Sequence, residues 1–182
     1  MIDHPLLLQK LRYLMDSRTN APQFRRLIHE ISILLTYEAL RDWETEEIEI
    51  STPTGPATIR TLANQPIIIS ILRAGNGMLA GVHDALPLAA VGHIGIYRDR
   101  ELDSTVEYFL KLPQDIAERD VILLDPMLAT GNSTAAAIKR VKAAGATSVR
   151  LIAIIAAPEG VARIHEAHPD VDIVVAALDR GL

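Results

Sequence analysis

The sequence predicts one α/β domain whose mainly parallel, twisted sheet is flanked by helices. Two short apolar runs, residues 67–72 and 121–124, lack polar alternation, which is typical of parallel strands buried on both faces. A loop rich in helix-breaking residues follows each run, and a helical stretch follows each loop. The 182 residues suit a single domain, so we expect one domain over residues 1–182.

Composition narrows the possible functions. Hydrophobic residues make up 49% of the chain and aromatic residues 4%, which disfavours disorder and an aromatic base-stacking surface. The formal charge of −5 predicts no nucleic-acid partner. The absence of cysteine excludes disulfides, thiolate catalysis and cysteine zinc sites, and it fits a cytoplasmic protein. No signal-type or membrane-length apolar stretch occurs, so we expect no membrane partner.

The N-terminal part, residues 1–45, is predicted to form a helical arm with helices at residues 6–15 and 23–40. Helical spacing predicts one buried stripe on the second helix, made of Phe24, Leu27, Ile28, Ile31, Leu34 and Leu35. Arg25, Arg26 and Glu30 lie opposite this stripe and are predicted to face water. A ligand or subunit contact through Arg18, Thr19 and Arg25–Arg26 is the alternative.

The remaining elements follow in order. Residues 48–62 predict a hairpin at the sheet edge, with its turn at residues 54–56. Strands are predicted at residues 67–72, 89–97, 121–124, 149–157 and 173–178. Helices are predicted at 78–85, from after the loop 125–132 to a C-cap at Gly145, and at 161–167. A right-handed crossover predicts that strand 149–157 runs parallel to strand 121–124. The charged and aromatic connection near residues 98–112 is long and suits a lid.

The loop that follows residues 121–124 predicts a phosphate site. It carries Pro126, Gly131 and Asn132 and brings the hydroxyls of Thr130, Ser133 and Thr134 to a helix start. Unpaired N–H groups and the helix dipole bind anions there, and Gly131 and Asn132 tolerate unusual backbone angles. Asp125, at the strand end, is predicted to accept hydrogen bonds from sugar hydroxyls. An ordinary N-cap at Ser133 or Thr134 is the alternative.

The loop that follows residues 67–72 permits two interpretations. Gly75, Gly77 and Ala80, with Asp99 further on, satisfy a dinucleotide fingerprint and would indicate an NAD-dependent dehydrogenase. Arg73 favours a second anion site instead, because its planar guanidinium can donate to two phosphate oxygens. A surface ion pair is the structural alternative for Arg73. Two anion loops predict a substrate that carries phosphate at both ends.

The histidines predict no metal site. His93 lies inside a strand pattern and is interpreted as a packing residue, and the other five histidines lack ligand spacing: His4, His29, His83, His165 and His168.

The nine residues Asp125-Pro126-Met127-Leu128-Ala129-Thr130-Gly131-Asn132-Ser133 resemble the phosphoribosyl pyrophosphate (PRPP) loop of the uracil phosphoribosyltransferases. This family is a branch of the type I phosphoribosyltransferase fold, and it has Asp-Pro where most other branches have two acidic residues. Asn132 departs from the family, which usually has glycine there. Further similar segments are Leu34 to Ala39, Leu72-Arg73-Ala74-Gly75, Tyr97-Arg98 and Tyr108-Phe109-x-Lys111-Leu112.

The resemblance implies the function and the roles of the site residues. PRPP, carrying Mg²⁺, would react with N1 of uracil to give UMP and pyrophosphate in pyrimidine salvage. Arg73 and Arg98 would contact pyrophosphate and Asp125 the ribose, while Thr130, Gly131, Asn132 and Ser133 would hold the 5′-phosphate. A flexible hairpin flap at residues 97–113 would cover the site. Residues 102–106 depart from the family pattern, so Arg100, Glu101 and Asp103 are interpreted as a solvated charge run.

The resemblance also implies a homo-oligomer, a dimer or a tetramer, and a possible GTP activator. In the family a glycine-rich segment that contacts uracil follows a sequence similar to residues 178–182, so we expect the base-binding segment to be missing from this sequence. Two other functions stay open: a nucleotide- or RNA-binding regulator on the same fold, and the dehydrogenase.

Overall fold

The computed structural model describes residues 2–99 and 104–182, with the backbone alone for residues 98, 99 and 104. The predicted α/β fold with a mainly parallel sheet between helices is confirmed. The helices are α1 Pro5–Met15, α2 Ala21–Ala39, α3 Asn76–Ala85, α4 Asn132–Ala143 and α5 Pro158–Ala167. The strands are β1 Thr45–Thr52, β2 Gly55–Leu62, β3 Ile67–Leu72, β4 Ala90–Asp99, β5 Ser104–Lys111, β6 Val121–Leu124, β7 Met127–Leu128, β8 Val149–Ala156 and β9 Asp172–Leu178.

The main sheet places β3 and β6 side by side at its centre. Its order is β5-β4-β3-β6-β8, and β7 and β9 also pair with β8. All its pairs are parallel except β4 with β5. From β3 the chain crosses to β4 on one side, whereas from β6 it crosses to β8 on the other. The carboxyl ends of β3 and β6 therefore form the switch point of the sheet, which is where open α/β sheets bind ligands.

Both faces of the central strands are buried, which explains their continuous apolar sequences. Alternate residues of β3 enter separate core clusters, with Ile67 and Ile69 in one and Ile68 in the other. Leu123 and Leu124 of β6 divide in the same way. The first cluster includes α4 and α5, and the second includes α1, α2 and α3. The two helical layers thus fix which loops emerge at the carboxyl edge.

The buried face of α2 differs in part from the predicted stripe. Ile28, Ile31 and Leu35 are buried as expected, but Phe24 is 45% exposed. Phe24 lies in the first turn, N-terminal to the part of α2 whose residues enter the core. The buried face also includes Ser32 and Thr36, because each hydroxyl donates to a backbone carbonyl four residues earlier.

The β1–β2 hairpin forms, but its predicted turn and its predicted place at the sheet edge are wrong. Thr52 pairs with Gly55, so the loop consists of Pro53 and Thr54. The Thr52 hydroxyl closes this loop by donating to the Gly55 carbonyl at 2.7 Å. The two strands form a sheet of their own.

The expected long connection at residues 98–112 contains a strand. β5 pairs antiparallel with β4 and extends the main sheet at that edge, so residues 104–111 are not a loop. The tip of this hairpin, with Arg100, Glu101 and Asp103, lies outside the described residues.

Candidate active site

The two predicted anion loops leave the sheet side by side. One begins at Arg73 after β3, and the other begins at Asp125 after the neighbouring strand β6. A Cβ atom on Gly75 would lie 2.4 Å from the Leu124 carbonyl oxygen, so the backbones of the two loops touch. Both loops therefore open at the same edge of the sheet, with Gly75 of the first packed against the end of the strand that leads into the second.

The first loop places a cation at the mouth of a cleft. Arg73 is exposed, and the peptide bond that precedes it is cis. The Gly75 N–H donates to the Ile71 carbonyl at 2.8 Å and turns the chain into α3. The cleft has a volume of about 750 Å³, within the range of ligand sites, and it is lined by Leu72, Arg73, Ala74, Ile96, Tyr97 and Tyr108.

The second loop ends at an uncapped helix. Gly131 has φ 77° and precedes α4 with no side-chain cap. The Ala135 N–H donates to the Gly131 carbonyl at 2.8 Å, which leaves the N–H groups of residues 132–134 without an acceptor inside the helix. Thr130 is exposed and Ser133 half-buried. Such N–H groups, together with the helix dipole, are suited to an anion.

Two details of this loop differ from the sequence interpretation. The left-handed backbone is at Gly131 alone, because Asn132 already begins α4. The alternative N-cap at Ser133 or Thr134 is wrong, since both residues lie inside the first helical turn. Asn132 therefore stands in a position where a side chain is compatible with the backbone.

Backbone contacts hold the second loop in place. The Pro126 carbonyl accepts from the N–H groups of Ile154 and Ile155 at 3.2 and 3.1 Å. On the far side a Cβ on Gly160 of α5 would lie 2.4 Å from the Ala129 carbonyl oxygen. The loop is thus fixed between β8 and α5.

Asp125 is half-buried at the start of the second loop, and the Thr134 side chain forms a hydrogen bond with it. The Thr134 hydroxyl donates to Asp125 Oδ2 at 2.5 Å. Burial raises the pKa of Asp125, while hydrogen bonds from Thr134 and the Met127 backbone oppose that rise. No role toward Asp125 was predicted for Thr134, although its hydroxyl lies nine residues after a strand-end carboxylate, in the first turn of a helix, and this spacing is a signal that the sequence contains.

The hairpin strands form the remaining wall. The rings of Tyr97 and Tyr108 lie 6.0 Å apart, and Glu107 of β5 pairs with Arg140 of α4 at 3.0 Å. Both tyrosines belong to the flap predicted at residues 97–113, although neither was given a role of its own in the site. The backbone of Arg98 pairs with Thr105 near the end of β4, and its side chain lies outside the described part of the structure.

Three histidines have partners that suit structural roles. His4 accepts from the Leu6 N–H at 3.2 Å, His29 lies 3.1 Å from Asp84, and His168 Nε2 lies 2.9 Å from the Ala135 carbonyl oxygen. Across residues 2–99 and 104–182, no three acidic or histidine side chains are grouped as a metal site. No helix in the same ranges is long and apolar enough to span a bilayer.

Sequence comparisons identify the family of the chain. Residues 1–182 match the family model described as uracil phosphoribosyltransferase. The uracil phosphoribosyltransferase of Staphylococcus epidermidis is 52% identical over 183 residues, covering 100% of this chain and 88% of the relative. That of Staphylococcus aureus is 51% identical with the same coverage.

Structural comparisons extend the same likeness. The AQ2163 protein from Aquifex aeolicus superposes with a TM-score of 0.93 at 35% identity, covering 100% of this chain and 87% of that one. A purine phosphoribosyltransferase from Pyrococcus horikoshii, with a TM-score of 0.59 and 15% identity over 85% of this chain and 84% of its own, shares the fold alone. The family match covers both anion loops, and so replaces the dehydrogenase interpretation of Gly75 and Gly77. The chain belongs to the uracil phosphoribosyltransferase family.

Proposed function

We propose that the protein transfers phosphoribose from PRPP to uracil and releases UMP and pyrophosphate. Membership of the family supports the choice of base and reaction. One structural observation carries the proposal: two loops suited to anions leave adjacent strands at the switch point of the sheet, and the second begins with Asp125.

The loops suggest a binding mode for PRPP. The N–H groups at the start of α4, with the hydroxyls of Thr130 and Ser133, would hold the 5′-phosphate. Asp125 would accept hydrogen bonds from the ribose hydroxyls, and residues 126–129 would line the sugar. Arg73 would hold the pyrophosphate from the neighbouring loop, and Arg98 would approach it from the end of β4.

The proposed mechanism requires no protein nucleophile. The ribosyl carbon would become cation-like as pyrophosphate departs, and N1 of uracil would then bond to it while the N1 proton passes to the departing pyrophosphate. The protein would contribute by aligning the two substrates and by placing the Arg73 charge where the leaving group gains negative charge.

Mg²⁺ fits this site as a companion of the substrate. Asp125 is the carboxylate at the site, and the described residues form no acidic cluster that would hold a cation alone. The phosphate and ribose oxygens of PRPP supply the ligands that Mg²⁺ prefers. Bound in this way, the ion would neutralise part of the pyrophosphate charge.

Other expectations form part of the proposal. The β1–β2 hairpin is a separate two-stranded sheet with Ile48 and Ile59 exposed at 36% and 40%, which favours a homo-oligomer because isolated hairpins are rarely stable. Residues 1–182 would form one domain, with a helical arm at residues 1–45 and a flexible flap at residues 97–113. The family resemblance is the basis for proposing activation by GTP. The cysteine-free composition is the basis for proposing a cytoplasmic location.

The direct test mixes the purified protein with PRPP, Mg²⁺ and uracil and follows UMP by chromatography. We expect UMP with uracil and no nucleotide with adenine or hypoxanthine. PRPP binding without turnover would favour the regulator instead, and reduction of NAD would favour the dehydrogenase.

Arg73→Ala tests the proposed pyrophosphate contact. We expect the rate at saturating uracil to fall about 10²–10³-fold, because the leaving charge loses its donor. The control is Arg119→Ala, which removes a guanidinium paired with Asp115 near the opposite, amino-terminal end of β6. An unchanged rate for Arg73→Ala would remove Arg73 from the site.

A further inference from the structure

The buried hydroxyl of Thr134 bonds to a carboxylate outside its own helix. The residue is 2% exposed and lies in the first turn of α4, whose N-terminus is the proposed phosphate site. Its hydroxyl donates to Asp125 Oδ2 at 2.5 Å. The bond therefore joins the helix that would hold the phosphate to the carboxylate that would hold the ribose.

Two other buried hydroxyls of the chain behave differently. Ser32 and Thr36 in α2 each donate to a backbone carbonyl four residues earlier, at 2.7 Å, which is the usual arrangement in a helix. Thr134 is the third residue of α4, so the carbonyl four residues earlier, that of Thr130, lies outside the helix, and its single hydroxyl proton goes to Asp125. Its orientation is therefore directed to the carboxylate and not to the backbone of its own helix.

We propose that Thr134 is a positioning residue that holds the Asp125 carboxylate in the orientation that receives the ribose hydroxyls; this inference rests on the proposed function. The Met127 backbone, in the same loop, also favours the charged form of this carboxylate. The side-chain bond that holds Asp125 in place comes from α4. A carboxylate has about four lone-pair positions, so acceptor sites remain for a sugar.

The bond from Thr134 also affects the pKa of Asp125. Burial disfavours the charged form of Asp125, and the Thr134 hydroxyl favours it, so loss of the hydroxyl raises the pKa of Asp125. No charged side chain in the described part of the structure contributes to that pKa. The charged residues on the elements around the site are Arg73 after β3, Asp84 on α3, Glu107 and Lys111 on β5, Lys139, Arg140 and Lys142 on α4, and Glu159, Arg163 and Glu166 on α5, together with Arg98 and Asp99 on β4, whose side chains are not described.

The test compares Thr134→Val, which removes the hydroxyl at nearly constant volume, with Thr134→Ser, which keeps it. For Thr134→Val we expect the KM for PRPP to rise and kcat/KM to fall about ten-fold or more, the loss expected for a hydrogen bond to a charged group. The KM for uracil should stay within about two-fold. The acidic limb of the kcat/KM profile should move to higher pH, and Thr134→Ser should restore both values to within about three-fold of wild type.

The matched control is Thr36→Val, which removes a buried hydroxyl from α2, away from the site. It should lower the melting temperature but leave kcat/KM and the acidic limb unchanged. If Thr134→Val does not fold, Thr134→Ala takes its place with the same expected results.

Three results would overturn the inference: an unchanged acidic limb, equal losses for Thr134→Val and Thr134→Ser, or a loss in Thr36→Val as large as in Thr134→Val. Calorimetric binding of PRPP separates this inference from the proposed function. If wild type binds PRPP but forms no UMP, the proposed reaction fails. Weaker PRPP binding by Thr134→Val but not Thr134→Ser would still support the positioning role.

Discussion

Gly75, at the end of the first loop, and Gly77, in the first turn of α3, differ sharply in the space around them. A Cβ on Gly75 would meet the carbonyl oxygens of Leu124 and Ile71 at 2.4 and 2.7 Å, whereas one on Gly77 would meet only an Ile28 methyl group at 3.8 Å. We expect Gly75→Ala to lower the free energy of unfolding by about 2 kcal/mol or more. Gly77→Ala should raise it by about 0.5–1 kcal/mol, because alanine favours the helix. Urea denaturation of both variants checks this difference, and equal effects would contradict it.

Asp125 illustrates a conflict between stability and activity in one residue. Its pKa is raised by burial, so the fold binds its proton more tightly than the unfolded chain does, where the pKa is near 3.8. Stability should therefore fall as the pH rises from about 3.8 through the higher folded-state pKa. We expect Asp125→Asn to raise the melting temperature at pH 7, with a smaller difference at pH 4, and to abolish UMP formation.

Asp170 provides a control of opposite sign for that experiment. Lys142 lowers the pKa of Asp170 through a bond of 2.6 Å, so Asp170→Asn should slightly reduce stability at pH 7. A lower melting temperature for Asp125→Asn at pH 7 would contradict the account of Asp125.

At the residue scale, the sequence was sufficient to place Arg73 and Asp125 but not to describe their surroundings. Both follow apolar runs that end abruptly, so their positions at strand ends were predictable. The bond from Thr134 to Asp125 depends on how α4 is rotated over the sheet, and periodicity does not fix that rotation. The exposure of Phe24 likewise depends on where α2 begins to contact its neighbours.

The contact between β8 and the end of α2 provides a prediction for an element. Arg150 at the start of β8 donates to Asp42 at 2.7 Å, to Asp172 at 2.8 Å and to the Ala39 carbonyl, and its guanidinium lies 5.4 Å from the centre of the Trp43 ring. We expect Arg150→Met to lower the free energy of unfolding by about 1–3 kcal/mol at pH 7, because several bonds to one guanidinium are lost.

That loss should depend on pH in a defined direction. Arg150 lowers the pKa of Asp42 below its usual 3.8, so the stabilisation is present above pH 3.8 and is lost as the pH falls through the folded-state pKa. The difference in melting temperature between wild type and Arg150→Met should therefore shrink below about pH 4. Arg41→Met, which breaks an exposed pair with Glu38, should have a much smaller effect at every pH.

At the element scale, buried strands were predicted more accurately than edge strands. The bounds of β3 and β6 agree with the prediction because each is a continuous apolar run ended by a polar residue. The antiparallel edge strand β5 carries Glu107 among exposed aromatic residues, so its composition looked like a loop. The turn was predicted at residues 54–56 but lies at Pro53 and Thr54, because Gly55 and Pro56 are also common turn residues.

Because the two core clusters lie on opposite faces of the sheet, shortening a leucine side chain in either cluster should lower the free energy of unfolding by a similar amount. Leu123 and Leu124 are both fully buried, one on each face of β6. We expect Leu123→Ala and Leu124→Ala each to lower the free energy of unfolding by about 2–5 kcal/mol, since each leaves a cavity. Urea denaturation measures the free energy of unfolding of both variants. A large loss for only one of them would indicate that one face of the sheet is exposed to water.

For the whole molecule, the layers were predictable and the strand order was not. Alternating apolar runs and helices indicate a parallel sheet between helices, but many strand orders satisfy that pattern. The order β4-β3-β6-β8, which brings the Arg73 and Asp125 loops to one edge, comes from the structure. The motif at residues 125–133 was specific enough to indicate the family without that order.

The fit between the second anion loop and α5 has an evolutionary consequence. A Cβ on Gly131 would lie 2.9 Å from the Gly160 carbonyl oxygen, and one on Gly160 would lie 2.7 Å from the Leu128 carbonyl oxygen. Neither position accepts a larger residue unless the other segment retreats. The two glycines should accordingly be conserved together. Selection for substrate binding by the loop would then also limit sequence change in α5, although α5 itself need not touch the substrate.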